Sequence, residues 1–191
     1  MTRLRPLPVE DWDHSLRGGP VPEGVSPGHI LAHQPAAARA LGGFSQAMRQ
    51  ARTLPDRLVE LVRLRVAFHN QCRSCMAIRY RDGVDDGVTE GLVCSLEKPY
   101  EAPDLTAAEK SALRFADLFA ADHLAIDEAV YADLRSHFTE AEIVELGIHV
   151  AFCVGFGRLM ATWDVVDDLP AGFQARDRVI TPWSADAAVV G

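Results

Sequence analysis

The stretch LPDRLVELVRLRVAFHNQCRSC, residues 54–75, decides how this chain folds. From Asp56 to Phe68 its apolar residues point almost all round a helix, the pattern of a segment buried on every side. One carboxylate, Glu60, stands among those leucines and valines, and a buried glutamate needs a partner or a task. Arg63 or an arginine of the next helix can satisfy it, and a proton-transfer role is compatible with either. Asn70 then offers a cap, and a second helix is predicted over Gln71 to about Arg81. On that helix Cys72 and Cys75 lie one turn apart on one face, close enough for a disulfide.

Working outward, the period stays helical. Ala38, Leu41, Phe44 and Met48 return at helical spacing between about Gln34 and Arg52, with Pro35 in a first turn and Gly42-Gly43 able to bend the helix. Residues 82–104 are punctuated by Gly83, Gly87, Gly91, Pro99 and Pro103, with a short helix expected near Thr89–Leu96. Two capping boxes follow: Thr106-Ala-Ala-Glu109 starts one helix, and Thr139-Glu-Ala-Glu142 starts a longer one reaching about Trp163. Asp127 caps a short helix between them, through Leu134. Residues 1–28 are rich in proline and glycine (Pro6, Pro8, Pro20, Pro22, Pro27; Gly18, Gly19, Gly24, Gly28) and read as a surface arm. The tail 169–191 is irregular, although Val179, Ile180 and Trp183 can dock. No segment alternates with period two. The expectation is an all-α single domain over 1–191: arm 1–28, helical core 29–168, tail 169–191.

Composition bounds the function. The 191 residues carry 19 Lys and Arg against 27 Asp and Glu, a formal charge of −8 that argues against a nucleic-acid partner. A mean hydropathy of 0.00 and no long apolar run leave no transmembrane helix expected and no membrane partner. The opening MTRLRPLPVEDWDHS has no apolar stretch of the signal-peptide kind. Four cysteines are too few for a disulfide scaffold, and the expected location is cytoplasmic.

The dithiol draws the charge toward itself. Between Arg57 and Arg81 stand six arginines (57, 63, 65, 73, 79, 81) and one acid, Glu60, so a +5 segment lies inside an acidic chain. Cations and a helix N-terminus both favour thiolate, the form that attacks peroxides and disulfides. At least half of these arginines are expected to be solvated residues paired with Asp82, Asp85, Asp86 and Glu90. A structural zinc site needs two close ligand pairs, and Cys94 and Cys153 are singles, so no metal is expected. Two inert core cysteines are the plain alternative for the pair. A faint echo, Leu58-Val59-Glu60-Leu61 against Ile143-Val144-Glu145-Leu146, fits either coincidence or two related helical halves. Gly147, Ala151 and Gly155 form a small-residue stripe that suits core or subunit packing, and Phe152 and Phe156 read as core.

Residues 54–92 resemble the carboxymuconolactone decarboxylase superfamily, in particular its AhpD-like alkylhydroperoxidase branch. The likeness extends loosely over 105–164. Glu60, then Cys72 and Cys75 twelve and fifteen residues later, match that branch's spacing; its histidine, four residues beyond the second cysteine, is Arg79 here. The resemblance implies an AhpD-like helical bundle whose Cys72 and Cys75 reduce a hydroperoxide, with Glu60 relaying protons. It implies a protein thiol-disulfide reductant, no metal or organic cofactor, and a homo-oligomer (dimer, trimer or hexamer). Arg79 cannot relay protons, but on the dithiol's helical face it would lower a thiol pKa. His69, three residues before Cys72, and His149, on one face with Glu145 and Cys153, are the candidates to replace the missing histidine. The superfamily also implies two alternatives: a decarboxylase or isomerase of a small cyclic carboxylic acid, or a non-catalytic redox-responsive oligomer.

Overall fold

The helix over 56–68 forms because thirteen residues without proline or glycine present an apolar surface in every direction, and the neighbours close round it. It runs Asp56–His69 (α3, after α1 at Pro27–Leu31 and α2 at Pro35–Gln50). The structure is a computed structural model that describes residues 2–17, 24–183 and 187–191; Gly18, Gly19, Pro20, Val21 and Pro22 of the expected arm lie outside them. Beyond α3 come α4 (Arg73–Met76), β1 (Ile78–Tyr80), α5 (Arg81–Asp85), α6 (Glu90–Cys94), α7 (Ala107–Ala121), α8 (Glu128–Arg135), α9 (Glu140–Trp163) and β2 (Ala188–Val190). Leu61, Val62, Leu64 and Val66 of α3 are fully buried, and α3 packs against α7 and α9. Leu113 and Ala116 of α7 and Leu146 and Val150 of α9 complete that core.

Both capping boxes are present. The Thr106 and Thr139 hydroxyls accept from the amides of Glu109 and Glu142, whose carboxylates accept in return from the threonine amides. Asp127 caps α8 through the amides of Ala129 and Val130. The glycine pair leaves α2 unbroken. Part of the arm is regular, since α1 begins at Pro27 behind a Ser26–His29 capping box.

Three expectations need correction. The helix predicted over 71–81 stops at Met76, and residues 78–80 form a short parallel pair with 188–190, Ile78 opposite Ala188. A local period-two signal cannot be read from three residues. Asn70 ends α3 and does not start the next helix. By length and composition α9 is long and apolar enough to cross a bilayer. The acids Glu140, Glu142 and Glu145 at its start obscure this in the sequence. In the fold α9 lays one side on α3 and α7, while Val144, Ile148 and Leu159 face outward. The small-residue stripe is on that outward side too, because a Cβ on Gly147 or Gly155 would meet nothing within 4 Å.

Candidate active site

The Cys-Arg-Ser-Cys turn is built by what surrounds the end of α3. Asn70 donates to the Cys153 carbonyl (2.9 Å) and accepts from Arg158 Nε (3.2 Å), tying the α3 terminus to α9. Gly157 faces it so closely that a Cβ there would sit 2.6 Å from Asn70 Nδ2. Gln71 takes a left-handed conformation (φ 49°) that reverses the chain. Cys72 then caps the four-residue α4, one position ahead of the expected first turn, and is disulfide-bonded to Cys75. So short a helix has little dipole to lend a thiolate. Cys72 is fully buried, whereas Cys75 is half-buried.

Two buried guanidiniums explain why the helix ends. Arg63 donates to the Cys75 and Ile78 carbonyls (2.7 and 2.9 Å), and Arg79 to those of Met76 and Ile78 (both 2.9 Å). A continuing helix needs those carbonyls for its own amides. Arg79 therefore does not stand on a helical face of the dithiol. It sits on β1, 1% exposed, with two bonds to Glu90 (2.8 and 3.0 Å) and one to the Pro182 carbonyl (2.6 Å). Its charge is neutralised at Glu90, and its work is to join α4, α6 and the tail. Arg79→Ala is expected to lower unfolding stability by about 3 kcal/mol, from carbonyls left unsatisfied and a side-chain-sized void. Denaturant unfolding would measure it, and a loss below about 0.5 kcal/mol, the range of ordinary surface changes, would contradict this role.

Gln71 and Arg73 hold the tail as well. Gln71 exchanges bonds with the Ile180 backbone (3.0 and 3.1 Å), and Arg73 donates to the Ala175 and Arg178 carbonyls (2.8 and 3.3 Å). Phe173 and Ile180 are buried beside Cys75 and Met76, and Trp183 leans on Phe68 with ring centroids 5.3 Å apart. Val179 stays exposed.

Glu60 is only 2% exposed and has found its partner. Arg63 grips both carboxylate oxygens at 2.7 Å, and the Tyr80 amide donates to one of them at 3.1 Å. Burial opposes the charge on Arg63, but Glu60 outweighs it and raises the guanidinium pKa. Gly83 permits the crossing of α5 over this point, since a Cβ there would lie 2.7 Å from Glu60 Cβ. Of the six arginines, Arg63 and Arg79 are buried rather than solvated, although Arg79 pairs with Glu90, one of the expected acids. Asp82 instead pairs with Arg49, and Asp86 accepts from the Arg57 amide.

The two histidines part ways. His69 bonds Asp117 (2.6 Å), which also receives Arg65 (2.7 Å) and Tyr100 (2.6 Å). Burial works against ionising Asp117, but these three bonds prevail and hold its carboxyl down at about 2. This network ties α3 to α7. His149 lines a cavity of about 370 Å³ between α2, α3 and α9, together with Glu60, Arg63, Tyr80 and Cys153; neither sulfur of the disulfide lines it. Burial, with Arg52 and Arg63 nearby, pushes the imidazole down to about 4. The Cys153 thiol, 3.6 Å from His149 Nε2, is pushed up by burial to about 12. Glu145 leaves this face to accept from the Thr53 and Leu54 amides. Thus Glu60 and Arg63 form a wall with the dithiol turn on one side and the cavity on the other. Phe152, which reads as core, lines the cavity with Phe44, and Arg49, Arg52, Tyr80 and Asp82 join them. Their only local signal was helical spacing; what brings them together is the α2–α9 approach.

Comparison with known proteins agrees with this architecture. Residues 35–118 match the model of the Carboxymuconolactone decarboxylase family. Two uncharacterized proteins of Mycobacterium tuberculosis, from strains CDC 1551 and H37Rv, are each 38% identical over 112 residues. That is 58% of this chain but only 39% of theirs, so the chain spans about two-fifths of the length of these relatives. The crystal structure of an AhpD core, an uncharacterized peroxidase-related protein from Ralstonia eutropha JMP134, superposes with a TM-score of 0.71. It covers 94% of this chain and 98% of that one at 22% identity, a likeness of fold. Residues 35–118 are thus similar to the Carboxymuconolactone decarboxylase family, and the chain carries that segment in a fold like that of the AhpD core.

Proposed function

We propose that the chain is a dithiol oxidoreductase that reduces hydroperoxides at Cys72 and Cys75 and is recycled by a thiol-disulfide partner protein. The observation that carries this reading is the pair itself, two bonded sulfurs of which one is sealed and the other half-open to solvent. In the reduced form the Cys75 thiolate attacks the terminal peroxide oxygen. The O–O bond breaks, the alkoxide leaves and takes up a proton as the alcohol, and Cys75 keeps one oxygen as a sulfenic acid. The Cys72 thiol then displaces that oxygen as water and closes the disulfide. Two electrons have passed to the peroxide, and exchange with a partner dithiol restores them. Glu60 is a positioning residue in this scheme, since it acts through Arg63, which holds the Cys75 carbonyl. A cytoplasmic location, where thiol reductants are kept reduced, belongs to the same proposal.

The test is a thiol count before and after stoichiometric cumene hydroperoxide. The reduced chain is expected to fall from four free thiols to two, leaving Cys94 and Cys153. Loss no faster than that of free cysteine would sink the peroxidase reading. Oxidation without continued peroxide consumption in excess dithiothreitol would favour the redox-responsive alternative. The acid decarboxylase finds less support, because Arg49, Arg52 and Arg63 in the cavity each already hold a carboxylate. Self-association is part of the proposal, motivated by the apolar outer side of α9. Light scattering should give a mass at least twice the 20.9 kDa chain, and a monomer mass would exclude it.

A further inference from the structure

We infer that the cavity between α2, α3 and α9 binds a small, uncharged, mainly apolar molecule carrying a carbonyl or hydroxyl group. Nothing in this inference depends on the dithiol reading, because the Glu60–Arg63 wall stands between the cavity and the sulfurs. At about 370 Å³ the space falls in the range of roughly 300–1,000 Å³ that encloses small molecules.

Charge selects the class. Three arginines and three acids line the cavity, and every guanidinium is taken. Arg49 holds Asp82 with two bonds (2.7 and 2.8 Å), Arg63 holds Glu60 with two (both 2.7 Å), and Arg52 pairs with Asp56. An incoming carboxylate would have to break one of these pairs and leave an acid uncompensated, a penalty that a neutral ligand avoids. An incoming cation meets the same obstacle from the acids. Phe44, Val59, Ile148 and Phe152 supply apolar wall, with the Phe44 and Phe152 rings 5.2 Å apart. Phe44 and Ile148 stay 40% and 41% exposed at its edge.

The remaining polar pair is neutral also. His149 is uncharged at neutral pH and the Cys153 thiol keeps its proton. They bond each other at 3.6 Å and His149 also bonds the Val59 backbone, so the groups left to meet a carbonyl or hydroxyl are the uncharged Ser45, Gln46 and Tyr80 of the lining, which give no anchor to a fixed charge.

The test uses the full-length chain and 1-aminoanthracene, a neutral fluorescent probe, at neutral pH. Saturable one-site binding is expected, displaced by 1-octanol and 2-octanone and about tenfold less effectively by octanoate. Ile148→Trp places bulk at the exposed edge and should weaken probe binding about tenfold with an unchanged circular dichroism spectrum and an unchanged light-scattering mass, which separates filling of the cavity from a changed assembly on the outer side of α9. Asp82→Asn releases the half-exposed Arg49 and should bring octanoate close to parity with octanol. The inference is overturned if no saturable site appears, if octanoate matches octanol in the unaltered protein, if Ile148→Trp leaves binding unchanged, or if Asp82→Asn leaves the preference as it was.

Discussion

Arg63→Ala is expected to lower the unfolding free energy by about 4 kcal/mol, the largest loss of any single truncation in the site. The residue is 8% exposed and its side chain makes four short bonds, two to Glu60 and one each to the Cys75 and Ile78 carbonyls. Without it a carboxylate at 2% exposure loses its counter-charge, the Cys75 carbonyl loses its donor, and the Ile78 carbonyl keeps only Arg79. Glu60→Ala strands the opposite charge and should cost nearly as much, with the Tyr80 amide unsatisfied as well. Replacing both at once, Glu60→Leu with Arg63→Met, removes the unpaired-charge penalty and should recover most of the loss. About 1–2 kcal/mol would persist from the orphaned backbone groups. A double-mutant cycle in urea measures this directly. Arg63→Ala losing less than about 1 kcal/mol, or a double variant no better than the singles, would mean that this wall is not sealed by the ion pair.

What was legible in the sequence was whatever depends on near neighbours. The capping boxes at Thr106 and Thr139, the Asp127 cap and the all-round apolar α3 are local signals, and each element they mark is present. Glu60 is anomalous in the sequence because a lone carboxylate in an apolar helix is costly wherever it lies, and Arg63 is among its expected partners. The shortened α4 was not legible, because its carbonyls are claimed by Arg63 from the previous helix and by Arg79 from beyond the turn. Counting arginines gives an electropositive island; Arg79 takes Glu90, an expected partner, but Arg57 and Arg65 pair with Glu109 and Asp117, acids at separations no spacing rule covers. His69 looked like a spare proton carrier for the same reason, since Asp117 belongs to another helix. Position 79, where the resemblance has histidine, carries a residue whose bonds are structural. Proton transfer at the dithiol, in the proposed reaction, then falls to solvent reaching the half-open Cys75.

That exposure difference makes the cysteine variants diverge in kind, although turnover should fall to background in both, because one sulfur cannot close a disulfide. In Cys72→Ser the remaining thiol is the half-buried Cys75, open to peroxide and to reagent. Its reaction should stop at a sulfenic acid that dimedone captures. In Cys75→Ser the remaining thiol is Cys72, with no exposed surface, and its reaction with an aromatic disulfide reagent should be slower by roughly ten- to hundredfold. Both variants belong in a Cys94→Ser background, because Cys94 is exposed and would otherwise supply a rapid thiol of its own. Cys153 contributes little in either, with its thiol pushed up to about 12 by burial. Dimedone on Cys72 in Cys75→Ser, with Cys72→Ser inert, would reverse the order of attack. Two inert variants beside an inert unaltered protein would leave the pair as a structural disulfide, since burial rather than chemistry would then be all that Cys72 supplies.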